Sequence, residues 1–146
     1  MLDNIRSAYN VGSFFRTADA AGGAMLHLCG ITPYPPNPKL DKTALGALES
    51  VSWMRYATVT DAVSTLRLVG IPVFAVELTD TSVDYRSIPY PTPSAFVFGH
   101  ELHGVNDFAL NVADAIVHIP MQGKKSSLNV ATVAGIIVFE ALRASP

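Results

Sequence analysis

The chain has 146 residues, of which 49% are apolar and 15% charged; this is enough apolar side chain for one sizeable core and too little charge for a disordered chain. A net charge of −2 excludes a uniformly basic nucleic-acid binder, so any RNA or DNA partner needs a local basic patch. The single cysteine, Cys29, excludes an internal disulfide and a CxxC metal site, and no run has the length of a membrane helix or the pattern of a signal peptide, which makes a cytoplasmic protein the default.

Residues 1–2 read as the end of a strand and 3–10 as a polar loop. Asn10 is a candidate N-cap for a helix over 11–21, with Val11, Phe14, Phe15 and Ala18 on one side and Gly22-Gly23 ending it. Residues 24–29 form a buried strand that holds His27 as a packed core histidine and Cys29 as a core thiol. Residues 30–42 carry four prolines and read as a long loop, and 43–49 as a short helix. A strand over 53–59 leads to a helix capped at Thr60-Asp61 and stopped at Gly70. Residues 71–77 are continuously apolar, as buried parallel strands are. A second proline-containing loop spans 79–93, then a strand over 94–98, a short helix over 105–112 and a strand over 115–119. Strands alternating with helices predict an α/β fold, a mostly parallel sheet with helices on both faces, in one domain over residues 1–146.

The last helix, over 129–143, is apolar nearly all round, with Ile136, Ile137, Val138 and Phe139 in succession. Such a helix is buried, so either the rest of the domain or a second subunit must cover it. The polar segment before it, Gln122 to Ser127, presents hydroxyls and free backbone N–H groups at a helix start.

Ligands of open α/β sheets bind beyond the carboxyl ends of the strands, and three polar clusters lie there: Asn10-Val11-Gly12 with Arg16, the run Gly99 to Gly104, and Ser127-Leu128-Asn129. None has the GxGxxG or GxxxxGK[ST] spacing. His100, Glu101 and His103 sit in one tight loop and cannot readily all turn to one ion, so no metal site is expected. Together, Asn10-x-Gly12-x3-Arg16, Gly99-x-Glu101-x2-Gly104 and Ile119-Pro120-Met121 with Ser127-Leu128-Asn129 resemble the three motifs of the SpoU (TrmH-like) branch of the SPOUT RNA methyltransferases. The Arg16-Thr17-Ala18-Asp19 and Lys42 to Ala47 runs and Glu140-Ala141 extend the resemblance over essentially the whole chain.

The resemblance implies a deep C-terminal trefoil knot holding S-adenosyl-L-methionine in a bent shape, a homodimer through the first and last helices, and methylation of a ribose 2′-hydroxyl of RNA, tRNA favoured over rRNA. By that resemblance Gly99, Ile119, Ser127 and Leu128 form the cofactor pocket, with Leu78, Thr79, Gly104 and Met121 as further walls. Taken singly, the glycines read as turn residues and Ile119 as core. Arg16 is the implied catalytic arginine. A guanidinium does not deprotonate in a protein, so its expected part is to grip the adjoining phosphate and stabilise the developing alkoxide. Without the motif, Arg16 reads as a surface partner of Asp19. Asn10 and Asn129 are expected to orient Arg16 and the ribose, or to serve as helix caps, and Glu101 to position the arginine or the RNA. His100 stands where a small amide or serine is expected. Arg6, Arg16, Lys124 and Lys125, with Lys39 and Lys42, are candidate phosphate contacts. The chain is expected to be a minimal catalytic domain or one trimmed at its N-terminus, with its RNA site built from both subunits. The competing expectations are a non-catalytic RNA- or cofactor-binding module on the same fold, and an ordinary nucleotide-binding α/β domain.

Overall fold

The computed structural model describes residues 1–144. In chain order the elements are β1 (Leu2–Asp3), α1 (Ala8–Ala20), β2 (Leu26–Cys29), α2 (Pro38–Ala44), α3 (Ala47–Ser50), β3 (Trp53–Tyr56), α4 (Val59–Leu68), β4 (Val73–Val76), β5 (Val83–Asp84), β6 (Ala95–Phe98), α5 (Asp107–Val112), β7 (Ala115–His118) and α6 (Val130–Ala144). The strands form one sheet in the order β3-β2-β1-β6-β4-β7-β5, and every pairing is parallel.

Side-chain alternation along the strands assigns the layers, because successive residues of a strand face opposite sides. Leu2, Leu28, Phe74, Phe98 and Val117 point to one face, where they pack with Phe14 and Phe15 of α1, Leu40 of α2, Ala47 of α3 and Ile137 of α6. Met1, Cys29, Val73, Ala75 and Val97 point to the other, under Ala62, Val63 and Leu66 of α4 and Ala109 of α5. Both sheet faces are thus covered by helices. His27 and Cys29 are buried, as expected for core residues, and burial lowers the His27 pKa to about 4 and raises that of Cys29 to about 11.

Several boundaries differ from the sequence reading, each for a local reason. Ser7, not Asn10, caps α1: its hydroxyl accepts from Asn10 N–H at 3.2 Å. Asn10 therefore lies in the first turn, with its amide free for other partners. Helix α2 begins inside the expected 30–42 loop, at the Asn37 cap and Pro38 in the first helical position, where a missing N–H costs nothing, and the expected 43–49 helix is broken at Leu45 and Gly46, both left-handed. The strand at 53 ends at Tyr56, because Thr58 and Asp61 close a capping box and Val59 already begins α4. Strand β5 lies inside the second expected loop and pairs with β7. Finally, α6 is not buried all round in this chain. Ala134, Ile137 and Ala141 form its covered stripe, while Phe139 and Leu142 are each 49% exposed.

Gly12 is required by the approach of α1 to α2. A Cβ there would overlap the Thr43 hydroxyl and sit 2.6 Å from Thr43 Cβ and 3.0 Å from its carbonyl carbon. The helices cannot part freely, because Phe15 and Leu40 beside the contact are fully buried. Gly12→Ala is therefore expected to cost about 1–3 kcal/mol, the usual range for overpacking, and to lower the urea midpoint with an unchanged slope.

Candidate active site

The chain runs outward through β1, β2 and β3, then crosses to the other half of the sheet for β4 to β7. Loops leaving β1, β6, β4 and β7 therefore meet at the carboxyl edge, where a doubly wound sheet places its ligand crevice. A cavity of about 410 Å³ opens there. Leu78, Gly99, Gly104, Ile119, Met121, Ser127 and Leu128 all line it, as expected for pocket residues, and Glu101 and Asn129 stand at it too. Thr79 does not line it. Its N–H donates to Ser82 Oγ at 3.0 Å and its hydroxyl lies 3.3 Å from that of Thr81, so it closes the turn leading to β5.

The two glycines of the 99–104 loop have steric causes. A Cβ on Gly99 would collide with the backbone of Gly104 and Val105, where His100 and Gly104 pair N–H to C=O in both directions (3.0 and 2.9 Å). Gly104 has φ +73°, and a Cβ there would strike the Glu77 carboxylate. The turn reading and the pocket reading of these residues therefore hold together: the loop folds tightly and thereby forms a cavity wall.

One carboxylate gathers the motifs. Glu101 accepts from the backbone N–H of Arg6 (3.1 Å) and Ser7 (3.2 Å) and from the Asn10 amide (3.1 Å). Asn10 Oδ1 in turn accepts from the Asn129 amide at 3.0 Å. Asn129 Oδ1 accepts from Ala131 and Thr132 N–H at 2.9 and 3.3 Å, so it also caps α6. Asn129 thus both caps a helix and meets Asn10, whereas Asn10 caps none and, among the described residues, bonds only to Glu101 and Asn129 through its side chain. Partial burial by itself raises the Glu101 pKa, but the donated hydrogen bonds outweigh it and hold the carboxyl below the usual glutamate range.

Arg16 is elsewhere. It lies on the exposed side of α1 in line with Tyr9, seven residues earlier, which is 71% exposed. It does not line the cavity, and among the described residues it makes no ion pair with Asp19, whose carboxylate accepts from Ser50 Oγ. Lys124 and Lys125 are exposed on the segment before α6, Arg6 on the loop that Glu101 holds, and Lys39 and Lys42 on α2. Among the described residues no group of three His, Cys, Asp or Glu side chains comes together.

Among the lining residues that sequence reasoning missed are Glu77 and His118. Glu77, at the carboxyl end of β4, accepts from Val105 N–H at 3.1 Å and its own neighbour Leu78 N–H at 3.0 Å, tying the β4 and β6 loops together. An acid ending a wholly apolar strand was the available signal. His118 ends β7 at the cavity with a buried Nδ1 that has no hydrogen-bond partner among the described residues, and nothing in the sequence separated it from a core position. His100 Nδ1 accepts from Leu102 and His103 N–H at 3.0 and 3.3 Å, and its ring stacks on that of His103 at 4.6 Å.

A match to the SpoU rRNA Methylase family covers residues 1–139, and the chain belongs to that family. It is 34% identical to the tRNA (guanosine(18)-2′-O)-methyltransferase of Escherichia coli K12, over 97% of this chain and 61% of that protein. The chain thus spans about three fifths of that relative's length. An AdoMet-bound rRNA methyltransferase from Sinorhizobium meliloti superposes with a TM-score of 0.90 at 35% identity, over 97% of this chain and 54% of the other. A structure described by its work on 2-OH methylation of C/U34 on tRNA superposes at 0.87 with 27% identity, over 98% of this chain and 92% of the other.

Because the Glu101 pKa is depressed, its contribution is present above the unfolded pKa and is lost as pH falls through the folded one. Amide exchange at Arg6 and Ser7 is expected to be faster in Glu101→Gln than in wild type at pH 7. The two proteins should converge below about pH 4, under the ordinary glutamate pKa.

Proposed function

We propose that this chain is an S-adenosyl-L-methionine-dependent methyltransferase acting on a ribose 2′-hydroxyl of RNA, with tRNA the favoured substrate. The observation that carries the reading is the Glu101–Asn10–Asn129 chain of hydrogen bonds, which joins all three motifs at one cavity mouth. The residues present fit the cofactor. The cavity volume falls in the range of small-molecule sites. Ile119, Met121 and Leu128 offer apolar surface to an adenine, Ser126 and Ser127 offer hydroxyls, and the buried His118 Nδ1, without a hydrogen-bond partner among the described residues, offers a polar atom.

When bound, the cofactor supplies an electrophilic sulfonium methyl. The protein's part is to hold the 2′-oxygen in line with that methyl and to stabilise charge on it. The Asn10 and Asn129 amides, their orientation fixed by Glu101, are placed to orient the ribose. Arg16, an exposed cation away from its own chain's cavity, acts in the cavity of a second copy, where it grips the phosphate next to the target ribose. The proton leaves to a phosphate oxygen or water, since Arg16 cannot accept it. A dimer through α1 and α6 supports this arrangement: Tyr9, Phe139 and Leu142 are exposed on those two helices and would be covered. The reading includes the family's trefoil knot around residues 99–104 and 119–129, both of which wall the cavity, and a cytoplasmic setting; among the described residues no helix is long and apolar enough to cross a membrane. An rRNA substrate is the second reading, favoured by the likeness to the Sinorhizobium meliloti enzyme.

With labelled cofactor and separate pools of unmodified tRNA and rRNA, a 2′-O-methylnucleoside is expected from the tRNA pool. Arg16→Ala should lower turnover by about 100-fold or more, the scale of a lost charge-stabilising group, with cofactor affinity unchanged. Mixing Arg16→Ala with Asn129→Ala should regain part of the activity, since mixed dimers carry one intact site. Cofactor binding without transfer to either pool would support a binding module instead. Light scattering should give a dimer at micromolar concentration.

A further inference from the structure

A second cavity, of about 510 Å³, lies on the same carboxyl edge at the other half of the sheet, between the loop after β2 and the end of β3. Ile31, Pro33, Tyr34, Pro36, Asn37 and Arg55 line it. Its chemistry differs from the first. Tyr34 is 40% exposed and Ile31 64%, so neither serves a core. The Arg55 guanidinium lies 4.6 Å from the Tyr34 ring centroid, and Trp53 is 6.3 Å from Tyr34, centroid to centroid. Arg55 is exposed and makes no ion pair with a carboxylate among the described residues. An unneutralised guanidinium on an exposed aromatic ring is a surface on which a nucleobase stacks while the charge meets a phosphate.

The loop that carries the platform is joined to the first site. Ile31 N–H donates to Asn4 Oδ1 at 3.1 Å, and the Thr32 hydroxyl accepts from Ile5 N–H at 3.1 Å. Residues 4–5 lead directly into the Arg6–Ser7 segment that Glu101 holds. From β6 to β3 is three strand steps, at roughly 4.8 Å each about 14 Å across the sheet. A single RNA strand lying along this edge can therefore occupy both cavities.

We infer that Tyr34 and Arg55 form a second RNA subsite, where an unpaired nucleobase near the target nucleotide stacks and its phosphate is met by Arg55. The inference rests on the reading of the chain as an RNA-binding enzyme and adds the element that recognises a single-stranded stretch. It predicts that the substrate is unpaired beside the methylated position.

The test uses Trp53, the single tryptophan of the chain, as a built-in reporter. Titration with a mixed-sequence single-stranded RNA decamer is expected to quench its fluorescence saturably. Tyr34→Ala and Arg55→Ala should each raise Kd about tenfold, in line with loss of one stacked base, with Arg55→Lys in between. The same two alanine variants should raise KM for tRNA with kcat within about twofold and cofactor affinity unchanged. Circular dichroism melts confirm that the variants fold. Equal Kd in wild type and both variants, or no decamer binding to the wild type, overturns the inference. If no RNA is methylated by the wild type, the proposed reaction falls, but the fluorescence titration still decides this subsite.

Discussion

The Glu101 carboxylate is the contact on which the candidate site depends. It takes hydrogen bonds from two backbone N–H groups at the start of α1 and from the Asn10 amide. Charge-assisted bonds of this kind are stronger than neutral ones, and here they fix three things together: the loop after β1, the first turn of α1 and the orientation of one amide. Asn129 then reads that orientation from the far end of the chain. Without the carboxylate, the first and third motifs would keep their amide-to-amide bond but lose its tie to the second.

The surrounding fold serves to bring these segments to one edge. An all-parallel sheet places every strand's carboxyl end on the same side, and the crossing after β3 opens a crevice among the loops there. Gly99 and Gly104 let the β6 loop close on itself, and Glu77 anchors that loop to β4. The core is divided by strand alternation into two layers. The layer holding α1 and α6 carries the site; the other, under α4 and α5, fixes the sheet from behind.

Much of this was legible in the sequence. Continuous apolar strands such as 73–76 announced a sheet buried on both faces, and the resemblance, with its three motifs, pointed to about half of the residues that line the cavity. What the sequence hid has physical reasons. Ser7 and Asn10 are both competent caps, and only the bonds to Glu101 and Asn129, 91 and 119 positions away, show that the Asn10 side chain has other partners. The proline-rich loop concealed α2, because a proline reads as a breaker unless it stands at a helix start. The resemblance placed Thr79 among the pocket walls, yet its hydrogen bonds commit it to a turn. Helix α6 read as buried throughout because periodicity registers apolarity without saying which molecule covers it.

The Asn10–Asn129 bond joins residues 119 positions apart, and this separation bears on how the site comes into being. The Glu101 clasp needs only the first hundred or so residues and a sheet centre of β1 and β6. The last bond of the chain of amides awaits α6, the final element described. Long-range contacts form late, because the loop-closure entropy must be met before they contribute. The clasp can thus form from a shorter stretch of chain than the finished cavity mouth requires. The cavity mouth is complete only once α6 has docked beside α1.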